Sequence, residues 1–135
     1  MADLEQAVYT RLTTFAPLVA LVADRVYPGS ATQGAEYPFV TYQRISTPRF
    51  HAMGVDATTA GARFQLNVYA RTENNTAYGG AKTVAAQVRA AMRRWKGTVA
   101  GVVVQDTMLE NEMDLEAPDD RVHGVAIDIM IWHSE

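Results

Sequence analysis

The chain has 135 residues and 14.8 kDa, with 12 Lys and Arg against 15 Asp and Glu, a net charge of −3 at pH 7 and a pI near 5.6. A chain of this length suits one domain able to bury roughly two-thirds of its unfolded surface, with no metal or disulfide needed to hold a core. Hydrophobic residues at 48% and charged residues at 20% exclude a disordered or fibrous protein; the absence of cysteine excludes disulfide frameworks, zinc ribbons, iron–sulfur ligation and thiol catalysis; the acidic balance disfavours broad contact with nucleic-acid phosphates.

The opening Met1-Ala2-Asp3-Leu4-Glu5 has neither the basic region nor the apolar run of a signal peptide. The longest apolar run, Pro17 to Ala23, is far below the ~20 residues that span a bilayer, so the expectation is a soluble chain made in a cytoplasm, without membrane contact. Leu4, Ala7, Val8, Leu12 and Phe15 recur at three- and four-residue spacing and predict a first helix, with Asp3 as N-cap and Gln6 three residues on. Pro17 ends that helix and opens a short second one over residues 18–23.

Asp24 to Pro28 is a short extended piece, and Gly29 to Glu36 a loop. A strand is predicted from Phe39 to about Thr47, where Pro48 interrupts it. Residues 48–61, rich in Ala, Gly and Thr and without a clear period, read as a long mobile loop, with Phe50, Met53 and Val55 as apolar residues free to insert at a partner surface. Ala62, Phe64, Leu66, Val68 and Ala70 then alternate with Arg63, Gln65, Asn67, Tyr69 and Arg71, the pattern of an antiparallel strand with one covered face.

A helix is predicted from Asn75 or Thr76 to Trp95, its stripe being Ala77, Ala81, Val84, Ala85, Val88, Met92 and Trp95, with Gly97 beyond its end. Val99 to Met108 is one strand or a bulged pair broken at Gly101. Val122 to His133 is the last strand; Val125, Ile127, Ile129 and Ile131 form one face, and the other is also largely apolar, so a strand that is central or covered on both sides is expected. The sum is a single α+β domain over residues 1–135: an antiparallel sheet of about four or five strands with two main helices on one face.

No catalytic motif is present. Gly79-Gly80-Ala81-Lys82-Thr83 resembles the tail of a phosphate loop, but Ala81 separates glycine from lysine and the residues read as the first turns of a helix. His51, His123 and His133 share no metal-ligand spacing and read as surface or interfacial histidines. Glu110, Glu112, Asp114 and Glu116 alternate with other residues, which on a regular strand would put four carboxylates on one face. That row is a solvated strand end, a divalent-cation site, or a surface that repels DNA. Arg89, Arg93 and Lys96 lie along one side of the long helix and are candidates to pair with these carboxylates, within the chain or across a subunit boundary.

In order, the pieces Leu21-Val22-Ala23-Asp24-Arg25-Val26-Tyr27-Pro28-Gly29, Tyr37-Pro38-Phe39-Val40-Thr41-Tyr42-Gln43, Phe64-Gln65-Leu66-Asn67-Val68-Tyr69-Ala70, Trp95-Lys96-Gly97-Thr98 and Ile127-Asp128-Ile129-Met130-Ile131-Trp132 are familiar together. The chain resembles, over roughly residues 4–133, the tail-completion (tail terminator) family of long-tailed bacteriophages, prophages and gene transfer agents. The resemblance implies a structural virion protein without catalytic residues, cofactor or metal. It implies a ring, usually of six subunits, on the head-proximal end of the tail tube, ending tube growth and forming the surface on which the head docks. Its implied partners are further copies of itself, the tail tube protein and head–tail connector or neck proteins, with DNA only in transit through the lumen. Sheet edges and the loops at 29–36 and 48–61 are the expected contacts; nothing of the family is carried onto residues 48–61. A neck connector is the nearest rival. A small metal-dependent enzyme or ligand-binding domain is the alternative of a different class, and it predicts a monomer or dimer whose melting temperature rises with a divalent cation.

Overall fold

The computed structural model describes residues 3–31, 34–52, 55–71, 77–115 and 122–134. The expected caps Asn75 and Thr76, together with Met53 and Glu116, lie outside these residues. Helix α1, Leu4–Thr14, starts where the Asp3 side chain accepts from the Gln6 N–H at 2.6 Å, and buries Leu4, Ala7, Val8 and Leu12. The chain turns at Phe15 into α2, Ala16–Val22, with Pro17 in its first turn, where a missing N–H costs nothing. Strand β1, Val26–Pro28, leads through the 29–38 connection to β2, Phe39–Ser46.

Residues 48–61, expected as a loop, instead carry strand β3, Arg49–Ala52, and the start of β4, which runs for 17 residues from Val55 to Arg71. They form an antiparallel arm in which Arg49 faces Ala60 and Ala52 faces Val55. Among the described residues β7 joins β4 only from Thr59 onward, so the arm pairs with itself beyond the central ladder. Helix α3, Ala77–Met92, is followed by the hairpin β5, Gly97–Val99, and β6, Val102–Leu115, and then by β7, Val122–Ser134. The helix ends at Met92 rather than Trp95. Arg94 then takes a positive φ of 54° and donates its N–H to the Thr107 carbonyl of β6, so a tertiary contact sets the stop.

The break expected at Gly101 is a two-residue turn. Ala100 (φ 52°) and Gly101 (φ 79°) connect the paired residues Val99 and Val102, as a type I′ hairpin requires. Among the described residues the sheet has seven strands, more than the four or five expected, in the order β1-β2-β4-β7-β6-β5, with β3 beside β4 on the β2 side. It is not wholly antiparallel: β1 runs parallel to β2, because the 29–38 connection carries the chain back before β2 begins. One face of the sheet, with Val40, Tyr42, Phe64, Leu66, Val68, Ile127, Ile129 and Ile131, packs against all three helices in a single core. Phe64 sits fully buried at its centre. On the opposite face, Ala126 and Met130 of β7 are buried, as expected of a strand covered on both sides. Part of that cover is the β4 backbone at Gly61, where an added Cβ would lie 3.0 Å from the Trp132 ring and 3.1 Å from the Met130 sulfur.

Candidate assembly surface

Strand β6 does not keep one register along β7. The pairing slips between Leu109 and Asn111, so Glu110 is the extra residue of a bulge. Before the slip, Thr107 and Leu109 face Ile131 and Ile129 on the helix side; after it, Glu112 and Asp114 face Ile127 and Val125 on that same side. One inserted residue therefore reverses the alternation, and the carboxylates expected on one face are divided. Glu110 pairs with Arg63 of β4 at 2.7 Å, on the face away from the helices. Glu112 and Asp114 turn toward α3, where Glu112 meets Arg89 and Asp114 meets Lys82 at 2.5 Å.

Sequence reasoning named Arg89 but missed Lys82, which had been read only against a phosphate-loop pattern. Its signal was its place seven residues before Arg89, on the same side of a 3.6-residue helix. Arg63 was visible as a polar-face residue but had no assigned partner. Arg93 and Lys96, expected along one side of the helix, lie beyond its end at Met92; both are exposed and have no ion-pair partner among the described residues, so of the three expected cations only Arg89 meets the acidic row. Each of these bridges is partly exposed and contributes only modestly to stability. A further pair, Arg94 with Asp106 at 2.5 Å, ties the turn after α3 to β6.

Of the other candidates, Phe50 lies on β3 and Val55 opens β4, so both belong to the arm rather than to a loop. Met53 and Glu116 are outside the described residues. His133, read as a surface or interfacial residue, is buried: the residue is 5% exposed and Nδ1 lies 3.1 Å from the Ser134 carbonyl oxygen. Among the described residues no group of three or more His, Asp or Glu side chains is placed to hold a metal. A cleft of about 520 Å³ between the start of α1, the end of β2 and the β5–β6 turn is lined by Asp3, Arg44, Arg49 and His133, but Arg44 is already bound to Glu5 at 2.7 Å and to Thr47.

The face away from the helices carries no helix among the described residues. Gln43, Gln65 and Asp128 cross it as a hydrogen-bonded ladder, with steps of 3.3 Å. Above the ladder Tyr27, Tyr37, Phe39 and Tyr69 form an aromatic cluster with centroid separations of 4.9–5.9 Å. Burial and then the Tyr37 phenol push the Tyr69 phenol above its ordinary range, so it stays neutral at physiological pH. Among the described residues Ile45, Val103, Met108 and Met113 are large hydrophobics that remain exposed, and they lie toward the two sides of the sheet.

Those two sides differ in outline. Beside β6, strand β5 covers only Val102–Val104. Among the described strands none pairs with its outer side from Met108 to Leu115. On the opposite side β1 covers only Val40–Tyr42 of β2, while β3 lies lower down beside β4. Alternate N–H and C=O groups of an outer strand point away from the sheet, so both sides are templates for another strand.

No helix of the described residues is long and apolar enough to cross a membrane. A family model described as tail completion protein gp17 matches residues 6–134. The fold is similar to that of a chain in the virion of a native gene transfer agent particle, with a TM-score of 0.81 and 17% identity over 98% of this chain and 95% of that one. A second solved chain is similar with a TM-score of 0.63 and 17% identity, over 97% of this chain and 92% of the other. No curated protein sequence matches. With nearly its whole length matched by one family model, the chain belongs to the tail completion protein gp17 family.

Proposed function

We propose that this protein is a structural virion component that closes the head-proximal end of a phage-like tail tube, as a ring of six copies, ending tube growth and forming the surface on which the head docks. The observation that carries the reading is a sheet with a strand template on each of two opposite sides, in a chain of a tail completion family. A contact between unlike sides repeats from copy to copy and closes when the rotation divides a circle. The partners are further copies of the chain, the tail tube protein and the connector or neck proteins; DNA passes only through the lumen. The role is one of assembly and needs no turnover, cofactor or metal.

Deleting the gene and imaging the particles by electron microscopy tests this. The expected result is filled heads separated from tails, or tails of uncontrolled length. Joined particles with tails of normal length would overturn it. Free heads beside tails of normal, capped length would favour the neck-connector reading.

A further inference from the structure

The two open sides of the sheet have complementary steps, and the registers give their heights. On one side β1 projects beyond β2 at the level of Leu66–Val68 of β4, since Val26 faces Val40, Val40 faces Val68, Pro28 faces Tyr42 and Tyr42 faces Leu66. On the other side no described strand covers β6 at that same level: Glu112 faces Ile127, which faces Leu66, and Asp114 faces Val125, which faces Val68. The lower end is reversed. There β5 projects beyond β6 at the level of Ala60, through Gly97, Val104 and His133, while on the far side β3 is reached directly, with Arg49 at Ala60. Each three-residue strand stands at the height where the opposite side is recessed by one strand.

Resting on the ring reading above, we infer that neighbouring copies interlock through these steps, β1 of one copy entering beside Glu112–Asp114 of the next while β5 of that copy enters beside β3 of the first. A rotation about an axis along the strands preserves their direction. As β1 runs with β2, and β6 runs against it, the new β6–β1 ladder is antiparallel. It sets the half-buried Tyr27 of one copy level with Met113 of the next, on the face away from the helices. Met113 is 47% exposed in the single chain, and a thioether against an aromatic ring is a favourable cover for it. Charge selects this pairing over self-pairing of β6. Two β6 strands side by side would bring Glu110, Glu112 and Asp114 against their own copies, and like charges across a ladder repel. The opposite side has no carboxylate in Arg25–Ser30 or in Phe39–Ala52, and carries Arg25 and Arg49 besides Arg44, which is paired with Glu5.

The natural chain has no cysteine, so engineered pairs report the contact directly. Tyr27→Cys with Met113→Cys places thiols on β1 and β6, four strand spacings or about 19 Å apart within one copy. A disulfide needs Cα atoms within roughly 7 Å, so only different copies can be joined. One residue on from the level pair Gly97 and Arg49, Thr98→Cys with Phe50→Cys tests the β5–β3 half of the interlock independently, should the loss of Tyr27 disturb folding. Full-length protein is oxidised alone and together with isolated tail tubes, then run on non-reducing gels beside a sedimentation measurement. The expected result for both pairs is a ladder of multimers that collapses with reductant, each single variant staying monomeric. Dimers from Met113→Cys alone would overturn the assignment in favour of β6 self-pairing. Wild-type multimers by sedimentation with no ladder from either pair would overturn these edges while leaving the ring standing. A chain that stays monomeric with and without tubes, and gives no ladder, would overturn both.

Discussion

Glu112→Lys reverses one end of the pair with Arg89 without entering the core, and its cost follows from where the pair sits. The side chains are 38% (Arg89) and 31% (Glu112) exposed, so solvent screens the attraction. Its value then lies in the ~0.2–1 kcal/mol range of surface pairs. The new lysine also stands beside the Arg89 guanidinium, a repulsion of similar size. Together these remove about 0.4–2 kcal/mol of stability, or lower Tm by roughly 1–8 °C in a domain of this size. Urea denaturation at low salt measures the first and calorimetry the second. Arg89→Glu alone costs slightly more, because Arg89 also sits in the last turn of α3, where a cation suits the helix dipole. The double variant Glu112→Lys/Arg89→Glu restores attraction in reversed order, and the recovered stability shrinks as salt is raised. A double variant whose loss equals the sum of the single losses would refute the pairing, and with it the reversal of faces at Glu110.

Gly61→Ala costs about 1–3 kcal/mol in urea denaturation, since the added methyl meets the Trp132 ring and the Met130 sulfur at 3.0–3.1 Å; a neutral result would mean that Trp132 swings aside freely. Ala100→Asn raises stability by up to ~1 kcal/mol, because Ala100 holds a positive φ that asparagine tolerates better, and a lowered Tm would count against the I′ turn. Burial above all, then Tyr9, Glu5 and Asp3, pushes the Tyr42 phenol above its ordinary range. The unfolded chain therefore loses that proton first, near pH ~10, so the stabilisation is complete below that pH and fades as pH climbs toward the folded value. Tyr42→Phe should flatten this alkaline limb in a pH series of urea midpoints; an unchanged slope would remove Tyr42 as its source.

Elements that bury one face against the helices were legible from sequence, because burial imposes a period. The stripe of α1, the α3 stripe from Ala81 to Met92, the alternation from Ala62 to Ala70 and the apolar face of β7 all fall on the core. The Asp3 cap was legible for a local reason, its side chain binding a backbone N–H three residues away. What escaped lacked a one-sided environment or a local signal. The β3–β4 arm pairs strand with strand, and Ala57, Thr58 and Thr59 carry no alternation of apolar and polar residues that would announce it. The bulge at Glu110 is one residue long, and nothing in Leu109-Glu110-Asn111 announces that the alternation changes phase there. The parallel placement of β1 and the Lys82–Asp114 pair depend on chain return and on partners 32 residues apart, neither of which any local window contains.

The pairing of β4 with β7 runs unbroken through consecutive partners from Thr59 with Ser134 to Arg71 with Val122. Its hydrogen bonds lie across the strands, so tension applied along the strand axis loads the whole row in shear. The ladder cannot be unzipped rung by rung from one end under such a pull; it yields only when many rungs fail together. The β6–β7 ladder, interrupted by two register slips, offers no such continuous row. Under axial load the molecule therefore gives way first on the β6 side, and the middle of the sheet is its mechanical keel.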